Sequence, residues 1–130
     1  MRWHVAPLLS VGALVLSAAA SADEKTAAQT ICGRPADMVQ IVISMLEPSV
    51  ESVWRGGKIH VKRDTSDGSL WGFSLPNTTV HPAAFCRRPV SRDGREAIET
   101  GMVCAADEKA CASFAEQVTD RFEKIETTRQ

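Results

Sequence analysis

Four cysteines, Cys32, Cys86, Cys104 and Cys111, constrain this fold more than any other feature, because all of them follow an apolar leader. A signal peptide needs a cationic start, an apolar stretch of about 7 to 15 residues and small residues before the cut. Arg2, the segment from Val5 to Leu16 and Ala20-Ser21-Ala22 meet these needs in order, so residues 1–22 are expected to be removed ahead of Asp23. Apolar character fades near Ala20, short of the roughly 20 residues a spanning helix requires, so no transmembrane segment is expected after cleavage. The expected product, residues 23–130, is a single periplasmic or secreted domain. In such a compartment an even number of cysteines reads as two disulfides.

Three pairings are possible. Cys32 with Cys111 would clip the two ends of the domain together, a loop of roughly 80 residues worth about 4.5 kcal/mol in the chain-entropy view. Cys86 with Cys104 would join neighbouring extended segments for about 3 kcal/mol. This is the expected pairing, although a tight Asp93-Gly94 turn sets Cys86 opposite Gly101 and would need a bulge or a longer loop to bring in Cys104. Zinc is the competing use of four cysteines, but structural sites use close pairs such as C-x2-C, and the nearest two here are seven apart. A redox Cys-x-x-Cys is also missing. Neither a metal nor a cofactor is expected.

The pattern of apolar residues gives an α+β fold: a small antiparallel meander packed with N- and C-terminal helices and stapled by two disulfides. Residues from Asp23 to Ile31 read as a short helix stopped by Gly33. Pro35 then suits a first helical position with Asp37 in the first turn, and Met38, Ile41, Val42, Met45 and Leu46 share one helical face. From Val50 the period shortens. Two strands flank a Gly56-Gly57 turn, Ser69 to Leu75 presents Trp71, Phe73 and Leu75 to one buried face, and extended segments follow over Ala83 to Val90 and Ala97 to Cys104. The last element is the plainest. Asp107 caps a helix reaching about Glu126, with Cys111, Phe114, Ala115, Val118, Phe122 and Ile125 in one apolar stripe.

Charge is balanced overall and uneven locally. Loss of Arg2 leaves 14 basic against 16 acidic residues, which gives no global pull toward nucleic acid. Between Trp54 and Arg95, however, eight bases face three acids, and from Glu96 onward eight acids face four bases. Arg87, Arg88, Arg92 and Arg95, with Lys58 and Lys62, are therefore the candidate partner-binding residues, since guanidinium groups suit carboxylates and phosphates. The plainer reading is an ordinary surface whose arginines pair with Glu96, Glu99 and the acidic tail.

Other motifs are weak. His60, alternating with Ile59 and Val61, is expected on the solvent face of a strand, and His81 precedes Pro82 in a loop. No nucleophile elbow, phosphate loop or paired-carboxylate signature accompanies them, so no catalytic residue is named. Asn77-Thr78-Thr79 matches a short glycosylation acceptor pattern. Trp71 with Phe73 reads as core, and Trp54 as a possible contact residue. The expectation is a non-enzymatic binding or accessory protein of the cell envelope that recognises an anionic protein or surface polymer. The alternatives are an inhibitor or immunity-type protein acting through Pro82 to Arg95, and a small hydrolase using His60 or His81.

Overall fold

The computed structural model describes residues 29–128, so the expected leader (1–22) and most of the expected first helix (Asp23 to Ile31) lie outside the described residues. Nine elements follow: β1 (Thr30–Ile31), β2 (Arg34–Pro35), α1 (Met38–Ser44), β3 (Val50–Gly56), β4 (Ile59–Asp64), β5 (Ser69–Ser74), β6 (Ala83–Arg92), β7 (Arg95–Cys104) and α2 (Glu108–Thr128). Strands β3 to β7 form an antiparallel sheet in sequential order, and β1 pairs with β2 in a separate small hairpin. The α+β meander expected from the period changes is therefore the fold.

Both faces of the sheet are covered. On one face Phe114, Val118 and Phe122 of α2 bury themselves against Ile59, Val61, Leu70 and Ala83. On the other, Cys32, Ile41 and Met45 pack on Trp71, Ala84 and Cys86. Strand β5 sits between these layers, so Leu70 and Trp71, which point in opposite directions, are both buried. A single buried face for Trp71, Phe73 and Leu75 was the expectation; the layer of β1, β2 and α1 on the far side makes it two. Trp71 satisfies its indole N–H inside the core by donating to Ser69 Oγ at 2.9 Å.

Local chemistry explains where the elements begin and end. Asp37 is the N-cap of α1, its carboxylate accepting from the Gln40 N–H at 3.0 Å, and Pro35 belongs to β2 opposite Thr30. The expected helical opening at Pro35 thus shifts by one turn. Thr30 and Ile31 are strand and not the end of a helix, because Cys32 and Gly33, at φ of 47° and 78°, turn the chain back on itself. The β3–β4 turn is centred on Gly57 and Lys58, one residue later than expected. Gly56 stays in the ladder opposite Ile59 and has to be glycine there, because it lies under the Trp54 ring, where a β-carbon would come within 2.8 Å of Cζ2. Helix α2 starts as expected, with Asp107 Oδ1 accepting from the Ala110 N–H at 2.8 Å.

All four cysteines are paired, but as Cys32–Cys86 and Cys104–Cys111. The expected pairing fails because of side-chain parity. The two-residue turn at Asp93 and Gly94 sets Cys86 opposite Gly101 and Cys104 opposite Ala83 without a bulge. Directly opposed residues share a face, so Cys86 faces the α1 layer and Cys104 faces α2. The sheet itself separates Cys32 from Cys111. Each bridge instead ties one covering layer down: Cys32–Cys86 fixes the hairpin to β6, and Cys104–Cys111 fixes the start of α2 to the end of β7.

Candidate functional site

The six basic residues picked out by sequence are not brought to one surface. Alternation along β6 sends Arg87 toward α2, where its guanidinium lies 5.7 Å from the centre of the Phe122 ring and 3.9 Å from Glu126. Arg88 points to the other side and bonds Glu99 at 2.7 Å. Arg92 and Arg95 are exposed, opposed in register at the tip of the β6–β7 hairpin. Lys58 is exposed in the β3–β4 turn, and Lys62 is half-buried on the α1 side of β4. Segment Pro82 to Arg95 is almost wholly strand β6, paired with β7 from Ala83 to Arg92 and with β5 from Ala84 to Arg87, and it ends in a two-residue turn in place of a long loop.

Another cluster of charges is internal and structural. The Asp64 carboxylate is buried and forms an ion pair with Arg34, while its Oδ1 accepts from the Ser66 N–H at 3.0 Å and Oγ at 2.6 Å. Burial opposes ionisation of Asp64, but the Ser66 bonds, a Ser49 hydroxyl and the Arg34 charge outweigh it and hold the carboxyl below its ordinary pKa. Arg34 also lies 5.8 Å from the centre of the Trp71 ring. This pair locks the small hairpin onto the sheet.

Lys62 leads to a different site. Between α1 and the sheet lies a groove of about 270 Å³ whose apolar wall is Met38, Val42, Met45 and Leu46, with Phe73, Leu75 and Pro76 opposite. Its polar lining is Arg55 from β3, His60 and Lys62 from β4, Ser74 from β5 and His81 from the following loop. No carboxylate is among the described residues that line it. Helix α1 cannot bury all it carries: only Ile41 is buried within the helix, while Val42 is 50% and Leu46, just beyond its end, 78% exposed. Val42 and Leu46 therefore stand in the open beside the polar lining of the groove.

His60 was expected on a solvent face, but the α1 layer covers that side and half-buries it. Its Nε2 lies 2.7 Å from Ser52 Oγ on the neighbouring strand. Burial first, then the charges of Lys62 and Arg55, depress its pKa, so the ring is neutral at neutral pH. Among the described residues the second ring nitrogen has no hydrogen-bond partner, so the Ser52–His60 pair lacks the third group that orients a catalytic imidazole. His81 is exposed, its Nδ1 lying 3.0 Å from Ser74 Oγ and 3.1 Å from the Ser74 carbonyl oxygen.

Two signals in the sequence point to this groove. His60 and Lys62 alternate with the core residues Ile59 and Val61, which places both on the opposite face. The stretch Met38 to Leu46 also holds more apolar residues than one stripe of so short a helix can cover. Trp54, the remaining candidate, is half-buried under α2 with the Arg121 guanidinium stacked 3.8 Å from its ring centre. No helix among the described residues is long and apolar enough to cross a membrane. No protein family, curated protein or solved structure matches this chain.

Proposed function

We propose that the protein is an exported, non-enzymatic binding module of the cell envelope that holds an acidic protein segment in the α1 groove. One observation carries the reading: the groove combines exposed apolar side chains, Val42 and Leu46, with the cations Arg55 and Lys62, and no carboxylate is among the described residues that line it. A carboxylate beside a leucine- or phenylalanine-like side chain complements both halves. A polysaccharide would use the cations alone, so the apolar wall favours a protein partner over a surface polymer. Two disulfides fit an oxidising compartment and agree with the leader read from residues 1–22. The basic region proposed from sequence is thereby narrowed to Lys62, because Arg87 and Arg88 already have carboxylates within reach, and Arg92, Arg95 and Lys58 lie at the hairpin turns and do not line the groove.

Titration of short peptides bearing Asp or Glu next to Leu or Phe, followed by nuclear magnetic resonance shifts of His60 and His81, tests this. Binding should weaken at least about tenfold in Arg55→Glu and in Leu46→Ser while the melting temperature is kept, because both side chains are exposed and contribute little to folding. Salt should weaken it too. Binding to an acidic polysaccharide that Leu46→Ser leaves unchanged would overturn the protein-segment reading.

A further inference from the structure

The two edges of the sheet are built differently. Strand β3 carries a bulge between Ser52 and Trp54, a device that blunts pairing with another chain. Strand β7 runs for ten residues in unbroken register against β6, and no strand among the described residues pairs with its outer side. Its backbone groups can be assigned. Asp93 and Gly94 both have positive φ, as a type I′ turn requires, so the Arg95 N–H turns toward Arg92. Ladder bonds alternate along an antiparallel strand. The odd-numbered residues of β7 therefore bond to β6, and Glu96, Ile98, Thr100, Met102 and Cys104 turn their N–H and C=O groups outward. Side chains of these same residues lie on the α2 side, as the Cys104–Cys111 bond shows, yet α2 leaves Ile98 60% and Met102 37% exposed.

We infer that β7 pairs antiparallel with β7 of a second copy about a two-fold axis at Thr100, joining two sheets into one. The strand's own pattern selects that axis. Ile98 and Met102 are equidistant from Thr100, so each copy's Ile98 lies opposite the other's Met102, and this contact is made twice. Thr100 meets Thr100, Glu96 meets Cys104 and Glu99 meets Gly101, so no like charges are opposed. Moving the axis to Glu99 sets that carboxylate against its own copy and Glu96 against Met102. Moving it to Gly101 leaves Met102 against Thr100 and Ile98 against Cys104. Of these three registers, the Thr100 one alone sets Ile98 against Met102, and every outward backbone group of its overlap is matched to another. The contact is isologous and closes after two copies.

A single strand pair is a small interface, so a reversible dimer of micromolar strength is expected. Because β3 and the groove lie at the opposite edge, the dimer carries two grooves at its far ends, free to hold two sites on one partner with the gain that linkage brings. The pairing itself does not depend on what the groove binds.

Sedimentation equilibrium of the oxidised protein from micromolar to millimolar concentration should show a monomer–dimer equilibrium. Thr100→Pro removes an outward N–H at the axis without touching a bond to β6, and should weaken the dimer at least about tenfold. Thr100→Lys keeps the backbone and opposes two ammonium groups, with the same expected loss and an unchanged melting temperature. Register is read by cross-linking. Thr100→Cys should oxidise onto its own copy, since paired Cα atoms lie about 5.5 Å apart, whereas Ile98→Cys should link only to a Met102→Cys copy. A monomer throughout that range, a dimer indifferent to Thr100→Lys, or Ile98→Cys linking to itself as fast as Thr100→Cys overturns the inference.

Discussion

Gly72 of β5 lies directly beneath Val118 of α2, so close that a β-carbon on it would stand 3.0 Å from Val118 Cγ2 and 3.3 Å from its Cβ. The neighbour is a stiff, β-branched side chain in the buried core and cannot swing aside. Gly72→Ala should therefore destabilise the protein by about 1 to 3 kcal/mol, in spite of alanine's better strand propensity. Combining it with Val118→Ala should relieve the clash, so the double variant loses less than the two single losses together. Urea unfolding of the four proteins measures this, and strict additivity would show that α2 does not press on Gly72.

Non-reducing peptide mapping should recover Cys32 linked to Cys86 and Cys104 linked to Cys111. The two bridges are not equivalent. The first spans 54 positions of sequence and the second only 7, which in the chain-entropy view makes them worth about 4.2 and about 2.5 kcal/mol. Replacing Cys32 and Cys86 together with serine should lower stability more than replacing Cys104 and Cys111. The reverse order would mean that the short bridge acts mainly by holding the first turn of α2 in place.

Much of this was readable from single residues, and the failures have identifiable causes. Helix α2 was legible because Asp107 and the stripe from Cys111 to Ile125 speak for the same element with the same period. Parity was also legible. Adjacent residues of a strand face opposite ways, so Arg87 and Arg88 never formed one patch, and the Asp93-Gly94 turn already separated Cys86 from Cys104. Coverage of the second face was harder to read. Leu70-Trp71-Gly72-Phe73 is an unbroken apolar and small run, the mark of a strand buried on both sides, yet Trp71, Phe73 and Leu75 alone also fit one-sided alternation. The groove could not be assembled from local pattern, since it joins α1, three strands and His81 through tertiary packing.

Acid should unfold the protein through named carboxylates. Glu99 is held below its ordinary pKa chiefly by its hydrogen bond from Arg88, and Asp64 by Ser66, Ser49 and Arg34 against the opposing effect of burial. A depressed folded value means that the unfolded chain binds these protons more readily. Stability from both groups is thus complete at neutral pH and declines as pH falls from about 5 through the folded values. Asp64→Asn should lower neutral stability, because Arg34 loses its buried partner, and should flatten the acid limb of a plot of denaturation midpoint against pH. An unchanged acid limb in both Asp64→Asn and Glu99→Gln would place the acid sensitivity elsewhere.

Protonation of His60 should move folding and binding in opposite directions. Burial and the charges of Lys62 and Arg55 keep the ring neutral in the folded protein, whereas in the unfolded chain it titrates near pH 6.5. Stability from this group is present above that value and is lost as pH falls through the depressed folded one. An acidic segment in the groove reverses the preference, because a third positive charge beside Arg55 and Lys62 then gains a partner. By linkage, the bound anion raises the His60 pKa as much as protonation strengthens binding. Affinity for an acidic peptide should therefore rise as pH is lowered from about 7.5 to 5.5, before the peptide's own carboxylates, with pKa values near 4, begin to protonate. His60→Gln should abolish the rise, and Lys62→Gln should lower affinity at every pH while leaving the rise in place. Titration calorimetry across this range distinguishes the cases, with His81→Gln as the control for the second imidazole at the groove. A rise that survives in His60→Gln and disappears in His81→Gln would move the titrating group to the exposed rim, and a flat profile in the native protein would remove His60 from the site.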